Sequence, residues 1–226
     1  RLGCNRGMST SKSSKTGGKG PRDAAPPARP PRPHSARTHE VRIIGGEWRR
    51  TRLAVADKPG LRPTPDRVRE TLFNWLASLA GAGGGELPGW HCADVFAGTG
   101  ALGFEAASRG AASVLMCEQD AALVAQLKAV QSRLDAKAVR VERGNGVNLL
   151  ARCAPRSLQA VFIDPPFDQA ALYAEALRAA VPALAEGGVI YLEAARRWED
   201  AELAESGLSV FRHLKAGAVH AHLLRT

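Results

Sequence analysis

The sequence predicts an α/β fold: a mostly parallel sheet with helices on both faces, an antiparallel last strand, and a small β-hairpin plus helix in front. Three observations predict it. From His91 onward, short apolar runs alternate five times with helical stretches, the pattern of a parallel sheet built from crossover units. A glycine-rich turn, Gly98-Thr99-Gly100, joins the first of those strands to its helix. The chain closes on two strand-like runs, LSVFRHLK and AVHAHLLR, separated by Ala216-Gly217.

Taken in order, residues 1–40 come first. Met8 is the only large apolar side chain between Leu2 and Val41; the rest is Ser, Lys, Gly, Pro and Arg. Such a segment buries too little to offset its ordering entropy and reads as a disordered basic tail. Three origins stay open: a solvated tail touching RNA non-specifically, an extension upstream of the true start, and an Arg-rich transit peptide. Its six prolines argue against the helix a transit peptide needs.

Folded sequence begins at Val41. VRII, Gly45-Gly46 and EWRRTRLAV predict two strands around a Gly-Gly turn. After KPGLRP a helix follows, with Thr64 as N-cap, Pro65 at the first helical position and Asp66 complementing the dipole. Val68, Leu72, Trp75, Leu76 and Leu79 make its apolar stripe, and AGAGGGELPG ends it as a loop. Strands are then expected at 92–97, 113–118, 138–143, 158–164 and 187–193, and helices near 101–109, 120–134, 146–153, 169–185 and 198–206. The division is a tail (1–40), an N-terminal hairpin and helix (41–85) and a main domain (86–226).

The net charge of +9 is unevenly spread. Residues 1–40 hold nine Lys and Arg against two acids, residues 41–80 eight against four, and residues 81–226 fourteen against sixteen. A polyanionic partner would therefore meet the front of the chain, while the main domain is mildly acidic. No apolar run approaches the ~20 residues that span a bilayer, so no membrane partner is expected. Cys4, Cys92, Cys117 and Cys153 form no CxxC pair, so no metal site is assigned. Cys92 and Cys117 read as buried thiols of a reducing, cytoplasmic compartment. His220 and His222 share one side of the last strand; without a carboxylate or Cys partner they make a weak metal site, and they read as surface or edge packing.

The most informative stretch is DVFAGTGALGFEAASRG. Gly98, Gly100 and Gly103 match GxGxxG after a strand, and Glu118 ends the next strand twenty residues on, as in a Rossmann-like ligand turn. A dinucleotide and S-adenosyl-L-methionine both fit. Asp94, four residues before Gly98, favours the second, because a carboxylate there suits a cationic ligand and opposes a pyrophosphate. A strand-end carboxylate capping a loop is its blander role. Phe96, Thr99 and Gln119 flank the same turn.

AVFIDPPF follows at the end of the fourth strand of the main sheet, where open α/β sheets bind ligands. Its doubled proline makes a stiff loop with few donors. An exocyclic base amine has its lone pair delocalised into the ring. Acceptors on its N–H groups, the Asp164 carboxylate and the Pro165 carbonyl, favour the pyramidal nitrogen that attacks a methyl. Asp164 also stabilises the developing cation. Phe167 stacks on the base beside Pro166, an interaction of roughly 1–3 kcal/mol.

With these motifs, the segment RIIGGEWRRTRLAV…PGLRPTPDRVRETLFNWL resembles the RsmD family, bacterial class I methyltransferases that modify the N2 of a guanine in 16S ribosomal RNA. The resemblance spans residues 41–226. It implies S-adenosyl-L-methionine as donor, a seven-stranded Rossmann-like sheet, and 16S rRNA or the small ribosomal subunit as partner. It further implies that Asp94, Phe96, Gly98, Thr99, Gly100, Glu118, Gln119, Asn145 and Gly146 line the cofactor site, and that Asp164, Pro165, Pro166 and Phe167 hold the guanine. Asn145 serves equally as the N-cap of the next helix. Arg42, Arg49, Arg50, Arg52, Arg62, Arg67 and Arg69 are the expected phosphate contacts, with Arg50 and Arg52 on one strand face and Arg49 opposite. A DNA adenine-N6 or cytosine-N4 methyltransferase, a non-catalytic ribosome assembly factor and a dinucleotide oxidoreductase are the rivals. A monomer is the default expectation.

Overall fold

Each of the five alternations forms. The computed structural model describes residues 40–56, 58, 64–166 and 170–226; Arg62, Phe167 and the stretch 1–39 lie outside them. Two short strands, β1 (Glu40–Arg42) and β2 (Arg52–Ala54), precede helix α1 (Asp66–Leu79). Then come β3 (His91–Asp94), α2 (Ala101–Ser108), β4 (Ser113–Glu118), α3 (Ala121–Arg133), β5 (Val139–Arg143), α4 (Gly146–Arg152), β6 (Leu158–Ile163) and α5 (Ala170–Ala180). β7 (Leu184–Ala194), α6 (Asp200–Leu203), β8 (Ser209–Ala216) and β9 (Val219–Arg225) complete the chain.

The main sheet has seven strands in the order β5-β4-β3-β6-β7-β9-β8. β3 to β7 run parallel, and β9 is antiparallel to both neighbours. The chain winds outward from β3 to β5 and then returns to place β6 on the other side of β3. That reversal falls between β3 and β6, and sheets of this kind take ligands beyond the carboxyl ends of the strands at such a point. The glycine turn and Asp164-Pro165-Pro166 leave those two neighbouring strands on the same edge.

Alternation along each strand splits the core in two. One layer packs Phe162 and Tyr191 against α1, α2 and α3, through Phe73, Leu76, Phe104 and Leu127. The other packs Val161, Ile163 and Leu192 against α4, α5 and α6, through Leu149, Leu177 and Leu203. Val41, Ile43 and Leu53 of the N-terminal segment are buried in the first layer. Cys92 and Cys117 are free and buried. Among the described residues no helix is long and apolar enough to cross a membrane.

The N-terminal hairpin differs from expectation. β1 and β2 pair as Glu40↔Ala54 to Arg42↔Arg52, so residues 43–51 form the connection and no tight Gly-Gly turn exists. The backbone is drawn onto α2 instead. Glu105 accepts from the Ile44 and Gly45 amides at 2.6 and 2.8 Å, and Ser108 takes the Glu47 and Trp48 amides through its carbonyl and hydroxyl. Gly46, at φ 74°, lies so close that a Cβ would sit 1.8 Å from the Ser108 carbonyl. Arg49 and Arg50 thus lie in the connection, not on a strand, and Arg50 has a left-handed φ of 71°. Thr64 is not an N-cap either. Pro65 holds that position, and buried Thr64 accepts from Arg69 Nε through its carbonyl. Leu79 is 39% exposed, at the frayed end of the stripe.

Candidate active site

The glycine turn is built by packing. After β3 the chain reverses through Gly98 (φ 50°) and Gly100 (φ 80°), a region that L side chains avoid. A Cβ on Gly100 would meet Leu127 and Phe104 at 2.6 Å. On Gly103 it would lie 2.8 Å from the Met116 sulfur, so the third glycine serves the contact of α2 with β4. Glu118 laces the turn together: Oε2 accepts from the Gly98 amide and Oε1 from the Asp120 amide, both at 2.9 Å. Each oxygen retains acceptor capacity for a ligand hydroxyl. Thr99 is buried, Phe96 is half-buried and Gln119 is exposed.

Asp94 ends β3 at 2% exposure, and its Oδ2 accepts from the Gly103 amide at 2.9 Å. Burial pushes its pKa up to about 7, against the pull of the Gly103 and Phe96 amides and with the help of the Glu118 charge. Asp164 lies on the same face, two residues past the Asp94↔Phe162 register pair. Its carboxyl is held well above the usual range, first by desolvation and then by the charges of Glu193 and Asp94. The Pro165 carbonyl lies 3.5 Å from the Tyr173 hydroxyl.

Glu193, near the end of β7, is the residue that sequence reasoning missed. The β6–β7 register runs Ile163↔Leu192, which brings Asp164 level with Glu193. Glu193 is buried; it accepts from the Tyr191 hydroxyl at 2.8 Å and also bonds the Thr64 hydroxyl. Desolvation raises its pKa too. Three adjacent strands therefore present three carboxylates on one face. The available signal was a carboxylate at the end of the apolar run VIYLEA, in phase with Tyr191.

At the third strand end, Asn145 caps α4: its Oδ1 accepts from the Asn148 amide at 3.1 Å. Gly146 brings this joint against the exit of β3, since a Cβ there would sit 2.1 Å from the Val95 carbonyl. Asn145 is exposed and lies on the same edge as the glycine turn.

Of the arginines, Arg42, Arg49, Arg50, Arg52 and Arg67 are exposed. Arg42 bonds Asp66 and Arg52 bonds Glu40, each at 2.8 Å. Arg69 corrects the expectation of a phosphate contact. Its side chain is fully buried, bonded to Asp66 at 2.6 Å and to the Thr64 carbonyl, with Nη1 3.5 Å from Glu105. Glu105 also accepts from Arg109 Nε at 2.8 Å. Such a guanidinium joins α1 to α2 and cannot reach solvent.

Comparisons with known proteins agree with this architecture. The chain is 46% identical over 137 residues to ribosomal RNA small subunit methyltransferase D of Escherichia coli, an alignment covering 60% of this chain and 65% of that protein. Its structure is similar to that of a putative methyltransferase from Escherichia coli, with TM-score 0.65, 37% identity and coverage of 82% of this chain and 97% of the other. A putative methylase from Haemophilus influenzae gives TM-score 0.63 at 29% identity, covering 82% and 98%. The sheet order and these neighbours make the fold that of a Rossmann-like class I methyltransferase. The family described as conserved hypothetical protein 95 matches residues 41–225. With that match over most of its length, the chain belongs to this family, the RsmD family.

Proposed function

We propose that the protein transfers a methyl group from S-adenosyl-L-methionine to the exocyclic N2 amine of a guanine in the 16S rRNA of the small ribosomal subunit. The observation that carries the proposal is the carboxylate face: Asp94, Asp164 and Glu193 side by side at the ends of β3, β6 and β7, beside the glycine turn. These acceptors fit the cofactor. Buried carboxylates suit a cation, and Glu118 has oxygen capacity for ribose hydroxyls. Asn145 and Gly146 border the edge where an adenine would lie.

When bound, S-adenosyl-L-methionine supplies an electrophilic methyl on a positively charged sulfur. The chain does the rest. Asp164 and the Pro165 carbonyl accept the two amine N–H groups and aim the nitrogen lone pair. Pro165-Pro166 hold these acceptors rigid, which keeps the alignment that makes up most of the rate. As nitrogen becomes cationic, the Asp164 carboxylate stabilises it and takes the released proton, a role favoured by its raised proton affinity. Phe167 is assigned to base stacking. The target base must be unpaired or extruded to reach this edge. Arg42, Arg49, Arg50, Arg52 and Arg67 are assigned to RNA phosphates, with Arg62 among them by position. The name of the 46% identical relative supports a small-subunit rRNA substrate. The reaction is assigned to the cytoplasm and to a monomer.

Labelled S-adenosyl-L-methionine supplied with small subunits, free 16S RNA and duplex DNA tests this, with the methylated nucleoside identified after digestion. N2-methylguanosine is the expected product; methyladenine or methylcytosine in DNA would overturn the reading. Asp164→Ala should lose transfer at least about 100-fold while retaining cofactor binding.

A further inference from the structure

The β8–β9 hairpin carries a histidine cluster that the methylation chemistry does not use. Register pairs His213 with His222 and Lys215 with His220, and strand alternation puts all three imidazoles on one side. The rings of His213 and His220 stack at 5.2 Å between centroids, and His213 and His222 lie at 4.8 Å. One ring nitrogen from each of the three falls within 4.8 Å of the other two. Among the described residues this is the convergent group with metal-binding ligand chemistry.

The hydrogen bonds set the tautomers. His222 Nδ1 lies 3.2 Å from the Leu192 carbonyl and so carries the proton, while Nε2 accepts from the Trp198 amide at 3.0 Å. An Nδ1–H bonded to a backbone carbonyl is the arrangement that orients a histidine whose Nε2 binds a metal. In His222 the Trp198 N–H holds that position. His213 Nε2 and His220 Nδ1 are 3.0 Å apart and share one hydrogen bond. Burial lowers the proton affinity of all three rings, so neutral imidazole prevails at neutral pH. Glu199 opposes this at His213, whereas Arg197 and Lys215 reinforce it.

We propose that His213, His220 and His222 form a binding site for a divalent first-row transition ion, with His213 Nε2 and His220 Nδ1 as the first two ligands. Metal–nitrogen bonds of about 2.0–2.1 Å spanning that nitrogen separation subtend about 90° at the ion. That is the cis angle of square-planar or octahedral coordination, which favours copper(II) or nickel(II) over tetrahedral zinc. His222 Nε2 completes the set by exchanging the Trp198 amide for the ion. The Trp198 ring, 5.7 Å from that of Tyr173, then reports occupancy.

The test is titration of the untagged full chain with nickel(II), followed by calorimetry and tryptophan fluorescence, and with copper(II), followed by paramagnetic resonance. One ion per chain is expected at this site, with imidazole nitrogen couplings and a fluorescence change. His213→Asn and His220→Asn, at half-buried positions, should each weaken binding by at least about tenfold. The other histidines, His34, His39 and His91, remain in both variants and report adventitious binding. His222 is left intact because its loss would also break two backbone bonds. Equal affinity in the double variant, a spectrum without nitrogen couplings, or no ion taken up by the unaltered chain would each overturn the proposal.

Discussion

Asp94 shows how one buried carboxyl ties stability to ligand binding. Its folded pKa of about 7 lies above the ordinary aspartate value, so between about pH 4 and 7 the folded state holds a proton that the unfolded state has released. This contribution to stability is full below about pH 4, declines as pH rises from 4 to 7 and is lost above 7. A cationic ligand works in the opposite direction, because it favours the ionised carboxylate. Affinity for S-adenosyl-L-methionine should therefore increase as pH is raised from about 6 to 8. Asp94→Asn should flatten that dependence and weaken binding, which calorimetry across pH would show; an unchanged pH profile would remove Asp94 from the site. The strand-end places of Asp94 and Asp164 were legible in the sequence, because a glycine turn begins four residues after the first and two prolines follow the second. Glu193 was not, since Asp164 and Thr64 reach it only through strand order. Arg69 was misread although the signal existed: it stands three, four and seven residues before Leu72, Phe73 and Leu76, squarely on the buried stripe.

At the scale of elements, the strand–helix alternation was readable because period and punctuation are local. The hairpin was not, because its turn is decided sixty residues away by α2. Glu105 accepts two backbone amides of the connection and pairs with Arg109, with Arg69 close by, all away from solvent. Removing one member of such a network leaves uncompensated buried charge, a loss of about 3–5 kcal/mol. Glu105→Ala should lower the unfolding free energy measured in urea by that amount and expose the 43–51 connection to proteolysis. A loss below about 1 kcal/mol would mean that the clamp contributes little. Because Arg49 and Arg50 lie exposed on this connection, α2 also determines where they stand relative to the edge that carries Asp94, Asp164 and Glu193.

For the molecule as a whole, the charge of +9 divides along the sequence into a basic first 80 residues and a mildly acidic remainder. If the exposed arginines meet RNA phosphate, binding of small-subunit RNA should fall with salt. Arg49→Ala and Arg50→Ala should each reduce the slope of log affinity against log salt by about 1, uniformly across RNA sequences. An unchanged slope in filter-binding assays would end the phosphate assignment. Among the described residues the sheet has two unpaired margins, β5 and β8. Arg140 and Arg143 are exposed on the first, and Arg212 and Lys215 on the second. Unpaired strand edges invite other chains to add on, and repeated positive side chains resist it. The charged margins thus oppose side-by-side addition of further copies of the chain through their strand edges.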